Sequence, residues 1–169
     1  MLYARAADKI EDEMPYTNQL EIALKYYQKK KMRKEEAEIG LYLGRSYVED
    51  KEYEKAMRAY SDALEVALAI KDYNRAGYIC SYMGDLYEVD LRYILAAEKY
   101  KESGKYFYLA NNATSYVRAF VNEGRSYMSV DSNYLALASL KQAEVIMDSL
   151  NVENVKTYVY NGLGNILSL

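Results

Sequence analysis

A glycine returns every 40 residues in this 169-residue chain, at Gly44, Gly84, Gly124 and Gly164. A fixed period of this length constrains the fold more than any propensity does, because each period is one supersecondary unit that buries its apolar face on its neighbours. The words Leu43-Gly44-Arg45-Ser46-Tyr47, Met83-Gly84-Asp85-Leu86-Tyr87 and Glu123-Gly124-Arg125-Ser126-Tyr127 align without a gap. Further columns follow each Gly: Ala56, Ala96 and Ala136; Tyr60, Tyr100 and Leu140; Ala63, Ser103 and Ala143. Run backwards, the register places Ala4, Ala7, Tyr16, Leu20 and Ala23 in the same slots. The chain therefore divides into a partial repeat 1–36, repeats 37–76, 77–116 and 117–156, and a partial repeat 157–169, forming one array.

Each repeat reads as a helix pair. Ile39, Leu43 and Tyr47 fall at i, i+4 and i+8, as do Ile79, Met83 and Tyr87, which makes an apolar stripe on a first helix. Ala56, Tyr60, Ala63 and Ala67 do the same on a second helix, whose apolar columns persist to Ile70, Ala110 and Leu150 and predict it to be the longer. Gly inside a helix costs about 1 kcal/mol relative to Ala, so its return implies a close helix approach, with Ala56, Ala96 and Ala136 as the expected facing surface. The only proline is Pro15, which leaves the rest of the chain without the strongest helix breaker. Turn signals at Asp50-Lys51, Lys71-Asp72, Asp90-Leu91, Asn111-Asn112, Val130-Asp131 and Asn151-Val152 then predict nine helices over 2–10, 15–30, 35–49, 53–70, 74–89, 92–110, 113–129, 132–149 and 153–168. The fold expected is all-α, a solenoid of antiparallel helix pairs wound into a right-handed superhelix.

Composition excludes more than it assigns. With no His and one Cys, the chain lacks a Ser-His-Asp triad, a His proton shuttle, His-ligated metal and any intrachain disulfide. No acid, base or nucleophile set stands out, so no enzyme, cofactor or metal is expected. A formal charge of −3 argues against direct nucleic-acid binding. The most apolar run, Ala63 to Ile70, is too short to span a membrane and contains Glu65, so a soluble chain is expected. One Cys and the absence of a signal-like N-terminus fit the cytoplasm, and equally an excised extracytoplasmic domain.

With Gly44, Tyr47, Ala56, Tyr60 and Ala63 and their counterparts 40 residues on, the chain resembles the tetratricopeptide repeat family. It departs from that pattern in its period, which is longer than the usual length of about 34. Gly40, Cys80, Phe120 and Tyr160 stand in the slot of the consensus Trp, and the consensus Pro is absent. The extra length looks like the extended repeats of kinesin-light-chain-like proteins and of bacterial sensory and regulatory proteins. The resemblance implies a concave groove lined by first helices that holds a peptide or partner segment. Carried over residue by residue, its candidate positions are Arg5, Arg45, Asp85, Arg125 and Asn165 directly after the Gly column, with Tyr42, Tyr82, Asn122, Asn161, Tyr78, Arg118 and Tyr158 nearby. Arg beside Tyr suits carboxylate recognition, since a guanidinium forks to a carboxylate while the ring supplies rigid contact area. Leu41 and Arg45 replace the Lys and Asn used by members that bind chaperone tails, which argues against that ligand.

Other clusters have plainer readings. Lys29-Lys30-Lys31 with Arg33 and Lys34 is a solvated helix end, Cys80 is a small core residue, and Tyr108 is the outward member of Tyr106-Phe107-Tyr108. On the last helix, Val159, Leu163, Ile166 and Leu167 are expected to be covered by further chain or by a second copy, giving a homodimer through that helix. The alternative to a groove binder is a structural scaffold or dimerisation array with no groove ligand.

Overall fold

A computed structural model describes residues 17–168, and among these eight α-helices and no strand occur. The predicted helix 2–10 and the candidate Arg5 lie outside the described residues. Helix termination sets the architecture. At each turn one residue stands in the left-handed region, at Lys31, Lys51, Lys71, Leu91, Asn111, Asp131 and Asn151, with φ between 53° and 59°. The first of these turns shows the pattern: the N–H of Met32 donates to Tyr27 O and that of Lys31 to Gln28 O, both at 3.0 Å. This is a Schellman motif, which satisfies the last carbonyls of the helix. The longer of its two bonds recurs from Glu52 to Tyr47, Asp72 to Ala67, Arg92 to Tyr87, Asn112 to Phe107, Ser132 to Tyr127 and Val152 to Met147.

The structural period is therefore 20 residues, half the period of the glycines. It gives α1 (Thr17–Lys29), α2 (Arg33–Glu49), α3 (Tyr53–Ala69), α4 (Tyr73–Val89), α5 (Tyr93–Leu109), α6 (Ala113–Met128), α7 (Asn133–Ser149), a 3-10 turn (Glu153–Val155) and α8 (Lys156–Leu167). First and second helices are alike in length, 17 residues in both α2 and α3, which corrects the expectation of a longer second helix. The same cap closes both, and Arg33 and Lys34 belong to the start of α2. Asp72 caps α4 through the N–H of Arg75, and Asn112 caps α6 through that of Ser115.

Left-handed backbone costs about 1 to 2 kcal/mol for a residue with a Cβ, and Leu91 is the bulkiest residue placed there. Its side chain is largely exposed and makes little packing to lose. Leu91→Gly is expected to raise stability by about 0.5 to 1 kcal/mol, the relief of strain exceeding the entropy Gly adds to the unfolded chain. Urea unfolding of the two proteins checks this, and a destabilised variant would refute it.

The chain falls into two compact units, 1–82 and 83–169, with the division inside α4. In the first, Leu20, Ile39, Leu43, Ala56, Ala63 and Ile79 are buried. The second has a core of Val117, Val121, Leu140, Ile146, Val155, Val159, Leu163 and Ile166. Gly44, Gly84 and Gly124 do mark close approach, Gly164 does not, and the side chains met are not those of the expected column. A Cβ at Gly44 would strike the Tyr60 ring, one at Gly84 the Tyr100 ring 2.7 Å away, and one at Gly124 Leu140 Cγ at 2.9 Å. The facing side chains are thus sixteen residues on, with Ala56, Ala96 and Ala136 buried beside them and the Ala136 carbonyl oxygen itself 3.1 Å from a Cβ at Gly124.

Candidate functional site

In the second unit, α6 carries Arg118, Asn122 and Arg125 at i, i+4 and i+7, which places them on one face. The adjoining face, about 100° round the helix, buries Val117, Val121 and Gly124. Tyr158 enters this face from the first turn of α8, positioned by the 3-10 turn whose Val155 is buried in the core. Its hydroxyl donates to Asn122 Oδ1 and accepts from Arg125 Nη1 at 3.4 Å. The Arg118 guanidinium lies 5.9 Å from the centre of the same ring. Two exposed cations are thereby held around one tyrosine. Among the described residues neither forms an ion pair with a carboxylate. The hydrogen bond to Tyr158 holds Arg125 still more firmly protonated, burial opposing it.

Beside this face, Ser126 donates to Glu88 Oε1 at 2.6 Å and Tyr100 donates to Asp85 Oδ1 at 2.6 Å. Desolvation raises the Asp85 carboxyl above its usual range; the Tyr100 bond opposes that shift and the Glu88 charge adds to it. Tyr100, buried against the Gly84 backbone, is pushed far above an ordinary phenol by desolvation and then by the Asp85 charge. Asn161 and Asn165 are exposed on α8.

The first unit assembles its residues differently. Arg45, half-buried, lies 5.4 Å from the centre of the Tyr82 ring. Tyr82 stacks in turn on the buried Tyr60 at 6.0 Å. Tyr78 is exposed, whereas Tyr42 is buried, its hydroxyl 3.5 Å from Glu38 Oε1. Glu38 also accepts from Arg75 Nη2 at 3.4 Å, and Arg75 pairs with Asp72. This buried ionic cluster was missed in the sequence, although Glu38 heads the very column of Tyr78, Arg118 and Tyr158. Glu88 was missed as well; its signal is a carboxylate where the two flanking repeats hold Val48 and Met128.

Two further expectations concern the last helix and the surface. Val159, Leu163 and Ile166 are buried in the core of their own unit, packed with Val117, Val121 and Leu140, so they offer no face to a second copy. This corrects the expectation for those three, while Leu167 is exposed. Cys80 is buried, and Tyr108 is exposed with its ring 5.5 Å from that of Tyr116. Among the described residues no cluster of His, Cys, Asp or Glu could hold a metal ion, and no helix is long and apolar enough to cross a membrane.

No protein-family model and no curated protein matches the sequence. Solved structures do. BtubC (BKLC) from P. vanneervenii superposes with a TM-score of 0.67 at 19% identity, covering 80% of this chain and 56% of that one. The apo form of RapI superposes with a TM-score of 0.71 at 13% identity, covering 90% of this chain and 60% of that one. The chain thus spans little more than half the length of either. At these identities the likeness establishes the fold, a helical repeat of paired helices.

Proposed function

We propose that the chain is a non-catalytic interaction module of the tetratricopeptide type, which binds a peptide or partner segment on its first-helix face. The sequence columns support the family, and both structural neighbours are helical repeat proteins. The observation that carries the reading is the arrangement of Arg118 and Arg125 around Tyr158. Two exposed guanidinium groups that form no ion pair among the described residues, oriented by one ring, suit an acidic side chain or a chain-terminal carboxylate, where a bidentate pair adds geometric specificity. A sensory or assembly role within a regulator follows if the partner is a signalling peptide.

The test is a titration of the whole chain with a pool of short acidic peptides, read by calorimetry and repeated with Arg118→Ala/Arg125→Ala. Binding is expected to weaken about tenfold to a hundredfold in the double variant, as for loss of charge-assisted bonds. Since both side chains are exposed, its thermal transition should stay near that of the parent. Unchanged affinity in a folded double variant would remove the site. Absence of binding by any acidic peptide would favour an array that serves only as a scaffold.

A further inference from the structure

Two carboxylates stand beside the two arginines of the second unit. Asp85 and Glu88 lie one turn apart on the part of α4 that belongs to this unit. Glu88 accepts from Ser126, the residue after Arg125, at 2.6 Å, which sets this stretch of α4 directly against α6. Asp85 accepts from Tyr100 at the same distance. Both donors are buried, so each carboxylate is tied to a hydroxyl that cannot follow it elsewhere.

Among the described residues neither acid forms an ion pair, and neither does Arg118 or Arg125. The Glu88 charge is nonetheless felt at Arg125, where it adds to the larger effect of the Tyr158 hydrogen bond in holding the guanidinium protonated. Two anions and two cations therefore share one surface without neutralising each other. Like charges one turn apart on a helix are unfavourable, so the fold itself gains nothing from setting Asp85 beside Glu88. Asp85 and Arg125 hold the same slot in successive repeats. Packed helices lie about 8 to 10 Å apart, which an extended chain covers in about three residues.

We infer that Asp85 and Glu88 determine the specificity of the arginine site: the segment it accepts is of mixed charge, an acidic group at Arg118 and Arg125 with a basic residue one such step along the chain, toward α4. The inference rests on the arginine site proposed above and names the class of segment that site takes. Selection of this kind works through repulsion as much as attraction. A second acid on the α4 side would meet two carboxylates that their buried hydroxyl partners keep from turning away, whereas a Lys or Arg there would face both. An array bearing the arginines alone would instead favour the most acidic peptide offered to it.

The experiment is calorimetric titration of the whole chain with Ac-Gly-Lys-Ser-Ser-Asp-Gly-NH2, its reverse Ac-Gly-Asp-Ser-Ser-Lys-Gly-NH2, the diacid Ac-Gly-Asp-Ser-Ser-Asp-Gly-NH2 and the single-acid reference Ac-Gly-Ser-Ser-Ser-Asp-Gly-NH2. One of the two mixed-charge peptides is expected to bind about threefold to tenfold tighter than the reference, as for one added exposed charge contact. The diacid should bind no more than about twofold tighter than the reference, the statistical gain of having two acids to present. In Asp85→Asn/Glu88→Gln the order should invert, with the diacid tightest and the mixed-charge gain lost. Asn and Gln keep a carbonyl acceptor for both hydroxyls, so the variant should retain its thermal transition. Asp131→Asn/Asp148→Asn removes the same charge from two exposed positions elsewhere in the unit and should keep the parental order. A diacid that binds tightest to the parent, a mixed-charge pair no better than the reference, an order unchanged in Asp85→Asn/Glu88→Gln, or the same inversion in Asp131→Asn/Asp148→Asn would each overturn the inference. The reference peptide separates the two levels. If it loses affinity in Arg118→Ala/Arg125→Ala while the charge order fails, the arginine site stands and the specificity is wrong. If it is indifferent to that variant, or nothing binds, both fall.

Discussion

Gly44→Ala is expected to destabilise the protein by about 2 kcal/mol, while Gly164→Ala, in the same sequence column, is expected to stabilise it by about 0.5 to 1 kcal/mol. The difference lies in what a methyl group meets. At Gly44 it would overlap Cε1 and Cδ1 of Tyr60 and lie 2.9 Å from Cζ, and that ring is only 1% exposed and stacked on Tyr82, so it cannot withdraw. At Gly164 nothing lies within 4 Å, and Ala gains its full helix propensity. Tyr60→Ala alone should cost about 3 to 5 kcal/mol, and Gly44→Ala added to it should cost nothing further, because the obstacle is gone. Urea unfolding of the four proteins settles the point; additive losses would mean that the Gly44 and Tyr60 positions do not share one volume.

The same column shows how far the sequence could be read. A glycine recurring inside helices announces close approach, and the period of 40 made the helix pairs and their turns visible. The identity of the facing residue was not visible, because Ala56 and Tyr60 lie on one face of α3 and only the packing geometry decides which ring fills the glycine space. The turns were legible about every 20 residues, but the left-handed residue that closes each was not, since Lys31, Lys51, Lys71 and Leu91 carry no chemical sign of that conformation, whereas Asn111, Asp131 and Asn151 do. At the candidate site, alignment of Arg118 with Tyr158 put both on the face, but Tyr42, two positions before a glycine like Asn122, turned inward to Glu38. A change of charge within one column, Glu38 against Arg118, changes which neighbour holds the next side chain, and the repeat spacing alone does not record that.

The last helix is where packing overrides the pattern most clearly, and Leu140→Ala should expose it. The Leu140 side chain is fully buried and lies between two glycines: a Cβ at Gly124 would stand 2.9 Å from its Cγ, and one at Gly162 would stand 2.6 Å from its Cδ2. It therefore joins α6, α7 and α8 at one point, and its removal leaves a void that rigid glycine backbones cannot close. The expected cost is about 3 to 5 kcal/mol, toward the upper end for a buried Leu because so little can collapse inward. Hydrogen exchange should show the amides of 156–167 losing protection first, since α8 is the shortest helix described in this unit and leans on that side chain. Leu167→Ser, which alters only an exposed position, should change stability by less than about 0.5 kcal/mol. If Leu140→Ala left α8 protected, the helix would be held by something other than the core formed with Val121, Val159 and Leu163. If Leu167→Ser were the more damaging change, the exposed edge of α8 would be a contact surface after all.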